Sequence, residues 1–244
     1  MELSSSINGL VAVFGDVHGH VDRVRAILTQ LERMPDFERR WIVFIGDLVD
    51  RGPDPHGAID LVLDLQRRHP RTTAIAGNHE LAMAASLGCV PVPQDSDWSK
   101  RWLDHYGAKP TFDSYGANWG DLHDLIAKVP PAHREYLASL PWCVEHPEYL
   151  FVHAGLDAHK AFEVQRAILH QRDFSLSRPP WLCSKQATLG PSPPDCHLTV
   201  VSGHVRVPSV QLSRRRILLD TSGGEEDGVL SCVLLPENEV LTSA

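Results

Sequence analysis

Seven side chains able to hold metal ions or move protons stand at the ends of five apolar, strand-like runs in this chain. The runs cover residues 11–14, 41–45, 72–76, 149–152 and 198–201, and they lead into Asp16 and His18, Asp47, Asn78 and His79, His153, and His204. Two carboxylates, one amide and four histidines without a nearby thiol pair form an oxygen-and-nitrogen donor set suited to manganese, iron or zinc. Asp16 and His18 are two residues apart, so in extended backbone they face the same way and could reach one ion. Asp47 offers two oxygens that could bridge a pair of ions, and Asn78, His153 and His204 would complete the second. Metal ions about 3.5–4 Å apart clamp an in-line displacement at phosphorus and acidify a water between them. His79 follows Asn78 directly, so its side chain would point into substrate space as a proton donor to the leaving oxygen. Asp50, three residues after Asp47, is placed to pair with His79, and Arg51 offers a planar fork of donors to phosphate oxygens.

Positioning such a set calls for strands that end on one edge. In the first half, Val21, Val24, Ile27, Leu28 and Leu31 follow helical spacing after the first run, and Ala58, Ile59, Val62, Leu63 and Leu65 do so after the second. A short helix through Leu81, Met83 and Ala84 follows His79. Strands alternating with helices predict a largely parallel sheet with right-handed crossovers, whose carboxyl ends gather ligands. Residues 89–120 break this rhythm, being rich in Pro, Asp, Trp and Gly, with a helical piece at 98–105. They read as an insertion near the mouth of the site. Trp98 and Trp102 within it are spaced to pack under a flap. Helices are expected near 120–128, 132–140 and 161–169, and a proline-rich loop at 178–194. Strands near 209–212, 216–219, 229–235 and 239–242 suggest antiparallel hairpins closing a second sheet.

Composition narrows the class. With 244 residues, 43% of them hydrophobic, one α/β domain spanning 1–244 is the simplest organisation. The net charge of −8 argues against general nucleic-acid affinity, which needs basic surface to release counterions. The five cysteines are scattered and form no CxxC pair, which argues against a disulfide framework or a thiolate zinc site. No stretch reaches the length needed to span a bilayer, and the first residues lack a leader pattern, so a cytoplasmic location is expected.

Gly15-Asp16-Val17-His18-Gly19, Gly46-Asp47-Leu48-Val49-Asp50-Arg51-Gly52 and Gly77-Asn78-His79-Glu80 resemble the three signature motifs of the phosphoprotein phosphatase branch of the metallophosphoesterases. The resemblance continues through Phe151-Val152-His153-Ala154-Gly155-Leu156 to Gly203-His204, and small bacterial members are the nearest in style. It implies a two-sheet β-sandwich flanked by helices, with Asp16, His18, Asp47, Asn78, His153 and His204 as ligands of two divalent ions, manganese first. It also implies His79 as the acid with Asp50 as its partner, and Arg51 as a phosphate clamp. A second clamp in the family follows the His-Ala-Gly motif on a Trp-x-Arg stretch. Arg172 stands there, with His170 in place of the tryptophan.

The activity so implied is that of a serine/threonine-type protein phosphatase acting on phosphoproteins or small phosphate esters through a metal-bound hydroxide. Neither a membrane nor a nucleic-acid partner is expected. The alternative is a symmetrical dinucleoside-tetraphosphatase. Those enzymes share Arg51-Gly52-Pro53-Asp54 but tend to lack an aspartate at the position of Asp50. A metal-binding scaffold without turnover ranks last, because every ligand and the acid are present. The other histidines, including His56, His69, His105, His123, His133 and His146, read as surface or helix-end residues, and Glu80 as support for its helix N-terminus.

Overall fold

The computed structural model describes residues 3–244. The first half alternates strand and helix as expected: β1 (Val11–Phe14), α1 (Val21–Leu31), β2 (Trp41–Phe44), α2 (Pro55–Arg68), β3 (Thr72–Ala74) and α3 (Asn78–Ser86). Four helices follow, α4 (Trp98–His105), α5 (Lys109–Ser114), α6 (Leu122–Lys128) and α7 (Pro131–Ser139). After them come β4 (Cys143–Glu145), β5 (Tyr149–Val152), α8 (Phe162–Gln171), α9 (Pro180–Cys183), α10 (Lys185–Leu189) and β6 (Thr199–Ser202). The chain ends with β7 (Gln211–Leu212), β8 (Arg216–Leu218), β9 (Ser231–Leu235) and β10 (Glu239–Thr242).

The strands make two five-stranded mixed sheets, ordered β10-β9-β1-β2-β3 and β4-β5-β6-β8-β7. β1, β2 and β3 run parallel, as do β5, β6 and β8. Side-chain alternation explains how the layers stack. Val11 and Val13 of β1 join Val43, Phe151, Val201 and Ile217 in a core between the sheets. Ala12 and Phe14, the alternate residues, join Ile42, Phe44 and the apolar stripes of α1 and α2 in the core beneath the helices. Strands covered on both faces are apolar throughout, so β1, β5 and β9 are buried along their whole length. Truncating a fully buried ring such as Phe14 would cost about 3–5 kcal/mol.

The structure corrects three local expectations. The β9–β10 hairpin extends the first sheet, because β9 pairs antiparallel with β1, whereas β8 enters the second sheet parallel to β6. Residues 178–194 contain the short helices α9 and α10. Pro180 opens α9, where a missing N–H costs nothing, and the Ser184 side chain caps α10. Residues 89–120 carry α5 in addition to the expected helix at 98–105. All five cysteines are free, and among the described residues no helix is long and apolar enough to cross a membrane.

Candidate active site

The turns after β1, β2, β3, β5 and β6 converge, and the backbone is bent hard to let them. His18, Asp47, Asp50, Arg51 and His204 all adopt left-handed backbone, with φ of 46°, 53°, 69°, 63° and 67°. Non-glycine residues take that region at a cost of about 1–3 kcal/mol each, and such strain gathers at functional sites. The neighbouring glycines make room. A Cβ at Gly77 would overlap Asp47 Oδ1, and one at Gly203 would overlap Asp16 Oδ1.

Asp47 is the hub. Its Oδ2 lies 3.7 Å from His18 Nε2, 3.7 Å from His79 Nε2 and 3.2 Å from His153 Nε2. Two groupings, His18–Asp47–His79 and Asp47–His153–His204, share this one carboxylate. Asn78 Oδ1 sits 3.2 Å from His153 Nε2 and 2.8 Å from His204 Nδ1, and Asp16 Oδ2 accepts from the backbone N–H of His204 at 2.9 Å. All six expected ligands are therefore gathered in one place.

Tautomers follow from the partners. His18 Nδ1 is 2.8 Å from Val49 O, and His153 Nδ1 is 2.8 Å from Ile45 O. A carbonyl only accepts, so each Nδ1–H donates, and in the neutral ring Nε2 keeps its lone pair. Burial, reinforced by His79, holds His18 well below the ordinary imidazole range. Burial and His153 push His204 down to about 3. Burial opposes charge on Asp47, but His153, His79 and His18 outweigh it and keep that carboxyl well below its usual range. The same burial disfavours charge on His153, yet Asp47 pushes it up to about 10. Burial and the neighbouring Asp220 raise Asp16.

These residues fit a metal pair. Among the described residues, Asp16 Oδ1 and His204 Nε2 are buried and meet no hydrogen-bond partner. An unmatched buried polar atom costs about 1–3 kcal/mol, and a cation is the partner both atoms lack. The donor set is oxygen and imidazole nitrogen throughout, as a hard-to-borderline divalent ion requires.

The remaining machinery lies beside this cluster. His79 Nδ1 is 2.7 Å from Asp50 Oδ2, and its Nε2 is 3.3 Å from Arg51 Nη2. Arg51 Nη1 also donates to Gly223 O at 2.8 Å. The cavity over the cluster measures about 350 Å³, and Arg51, His79, Arg178, Lys185 and Arg206 are among its lining residues. Arg172, the expected second phosphate clamp, is not among them. It ends α8 in left-handed backbone, and its Nη1 donates to the carbonyls of Ala138 and Leu140, which ties α8 to the end of α7. Arg178, a few residues further on, occupies the cavity wall instead.

Several contributors escape sequence reasoning. Glu80 does more than support its helix, since its carboxylate accepts from the backbone N–H groups of Asp47, Leu48, Val49 and Gly77 and so locks two motif turns together. Trp102, expected as packing, donates its indole N–H to Asp50 Oδ2 at 2.8 Å. Thr111 donates to Asp50 Oδ1 at 2.6 Å and accepts from Asp50 N at 3.1 Å. An acid three residues after Gly77 is a sequence signal for Glu80, whereas nothing local marks Thr111.

The sequence profile of calcineurin-like phosphoesterases matches residues 9–227. The chain is 28% identical over 187 residues to the symmetrical bis(5'-nucleosyl)-tetraphosphatase of Bordetella parapertussis, covering 77% of this chain and 58% of that protein. It is 29% identical over 177 residues to serine/threonine-protein phosphatase 1 of Salmonella typhimurium, covering 69% of each. It spans less than three fifths of the length of the tetraphosphatases it matches. The crystal structure of a candidate diadenosine tetraphosphatase superposes with a TM-score of 0.62 at 19% identity over 98% of this chain and 97% of that one, a likeness of fold.

Proposed function

The chain belongs to the calcineurin-like phosphoesterase family, and from that premise we propose that it is a binuclear metal-dependent phosphomonoesterase of the serine/threonine protein phosphatase type. Asp16, His18, Asp47, Asn78, His153 and His204 would hold two divalent ions, manganese first, with Asp47 common to both. Bound there, the ions would supply an acidified water and neutralise charge on the phosphoryl oxygens. Arg51 would hold phosphate oxygens with its fork of donors, a task for which Arg178 on the same wall is better sited than Arg172. His79 would donate its proton from Nε2 to the departing oxygen, while Asp50 orients the ring through Nδ1.

The His79–Asp50 pair is the observation that carries the choice of substrate. A serine or threonine alkoxide is a poor leaving group and needs a proton as its bond to phosphorus breaks. A nucleotide phosphate leaves as a stable anion and needs one far less. An aspartate-backed imidazole is therefore built for the first task. The second reading, hydrolysis of dinucleoside polyphosphates, is favoured by the tetraphosphatase relatives and by the cationic wall of Arg51, Arg178, Lys185 and Arg206, which suits a longer polyanion. Turnover of a phosphoserine peptide and of a dinucleoside tetraphosphate, each with manganese and with chelator, separates the two. The proposal expects faster, chelator-sensitive release from the peptide. Preference for the tetraphosphate selects the second reading, and turnover of both that survives chelator excludes the metal mechanism.

A further inference from the structure

Away from the Asp47 centre, His56, Asp60 and His133 bring a further pair of imidazoles and a carboxylate together. Their ligand-type atoms all lie within 4.8 Å of one another. His56 and Asp60 are one turn apart on α2, and His133 comes from α7. Asp60 Oδ2 is 3.3 Å from His56 Nε2, and Asp60 Oδ1 is 3.0 Å from His133 Nε2. The two rings stand edge to face with centroids 5.1 Å apart.

Three features make this more than a surface pairing. Each imidazole reaches its own oxygen of the Asp60 carboxylate, at 3.3 and 3.0 Å, so the three side chains are close enough to share one ion with zinc–ligand bonds of roughly 2.0–2.2 Å after small adjustment. Tyr115 OH is 2.7 Å from His133 Nδ1, and the Tyr115 ring stacks on His56 at 4.7 Å. In this structure Asp60 Oδ1 only accepts, so His133 Nε2–H donates to it and the hydroxyl donates to Nδ1; with an ion bound, the hydroxyl would turn to accept from Nδ1–H and free the Nε2 lone pair, the outer-shell arrangement that orients a ligating imidazole. Access is open on one side, because the His133 side chain is 3% exposed while those of His56 and Asp60 are 35% and 57% exposed. An ion could enter and keep a water as its fourth ligand.

We propose that His56, Asp60 and His133 form a second, peripheral site for a late first-row divalent ion, zinc above all, clamping α2 to α7 outside the catalytic cavity. Two imidazole nitrogens and one carboxylate favour zinc, nickel or copper over magnesium or calcium. The ion would stabilise the fold by binding only the folded arrangement, since α2 and α7 are far apart in sequence. Tyr115 follows α5, the helix that carries Thr111, so the clamp also braces the segment that holds Asp50.

The test is zinc stoichiometry of the full chain after equilibrium dialysis, read by elemental analysis, in wild type, His56→Ala, Asp60→Ala and Asp47→Asn. The proposal expects His56→Ala and Asp60→Ala each to retain one zinc fewer per chain than wild type and to lose most of the zinc-induced rise in Tm. It expects Asp47→Asn to keep the His56-dependent ion, which makes the result independent of how the Asp47 centre behaves. Both replaced side chains are partly solvent-exposed, and should one variant fail to fold the other carries the comparison. Equal zinc content in wild type and either folded variant overturns the site, as does loss of the same ion in Asp47→Asn.

Discussion

The two flanks of Asp47 are held in different ways. On the ligand flank, His18 and His153 are aimed by backbone carbonyls, Val49 O and Ile45 O, and the turns themselves are tied by Glu80 to four backbone N–H groups. On the proton-donor flank, His79 is aimed by a side chain, Asp50, and Asp50 is aimed by two more, Trp102 and Thr111. The first arrangement belongs to the strand ends. The second is borrowed from α4 and α5, the segment that interrupts the strand–helix rhythm. Under the proposed function, metal binding would thus be tied to the sheet frame, whereas proton delivery could be weakened one substitution at a time without touching a proposed ligand.

The largest effect should come from the hub. Asp47→Asn is expected to lower the content of both ions and bring turnover to background, and full occupancy by elemental analysis would contradict a shared carboxylate. His79→Asn comes next. Turnover of an alkyl phosphate ester should fall by about 10²–10⁴-fold with metal content unchanged, the range for loss of a general acid. Loss of metal in that variant would move His79 into the ligand set and merge the two flanks.

Smaller effects probe the borrowed supports. Trp102→Phe removes a hydrogen bond to a charged carboxylate, worth about 1.5–3 kcal/mol, while leaving most of the packing in place. Turnover should drop by about tenfold, with metal content intact. A variant that loses stability alone, with turnover unchanged, would reduce Trp102 to packing. Thr111→Val should act in the same direction and on the same scale, because Thr111 donates to the other oxygen of the same carboxylate.

The smallest catalytic effect is expected at Arg172. Its guanidinium joins α8 to carbonyls at the end of α7, so Arg172→Ala should lower stability by about 1–2 kcal/mol in denaturant unfolding and leave kcat/KM near wild type. Arg178→Ala should do the reverse and raise KM for the phosphate ester. The opposite pattern would restore Arg172 as the clamp and remove Arg178 from phosphate binding.

Much of this was legible in the residues. Apolar runs ending in Gly-Asp, Gly-Asn-His or His-Ala-Gly are local patterns, and each fixes both a strand and the donor at its end. The residues that gather around Asp47 could be picked out for that reason, as could α1, α2 and the helix at 98–105, whose apolar positions repeat at helical spacing. What was misread depends on contacts between distant segments. β9 reads the same whether it pairs with β1 or closes the other sheet, because an apolar strand does not name its neighbour. Arg172 follows a motif-like spacing, but the left-handed turn at the end of α8 sends it towards Ala138 and Leu140. His56 and His133 carry no local mark at all. They meet only because α2 and α7 pack close enough for Asp60 to reach both.

The sequence by itself determined which donors exist, in what chemical types, and that each ends a strand, because those are properties of short stretches of chain. Only the tertiary structure decided which side chains orient His79, which arginine faces the cavity, and which histidines gather outside it. Those outcomes rest on the packing of helices far apart in the chain, and side-chain reach across such an interface is set by geometry that no local pattern records.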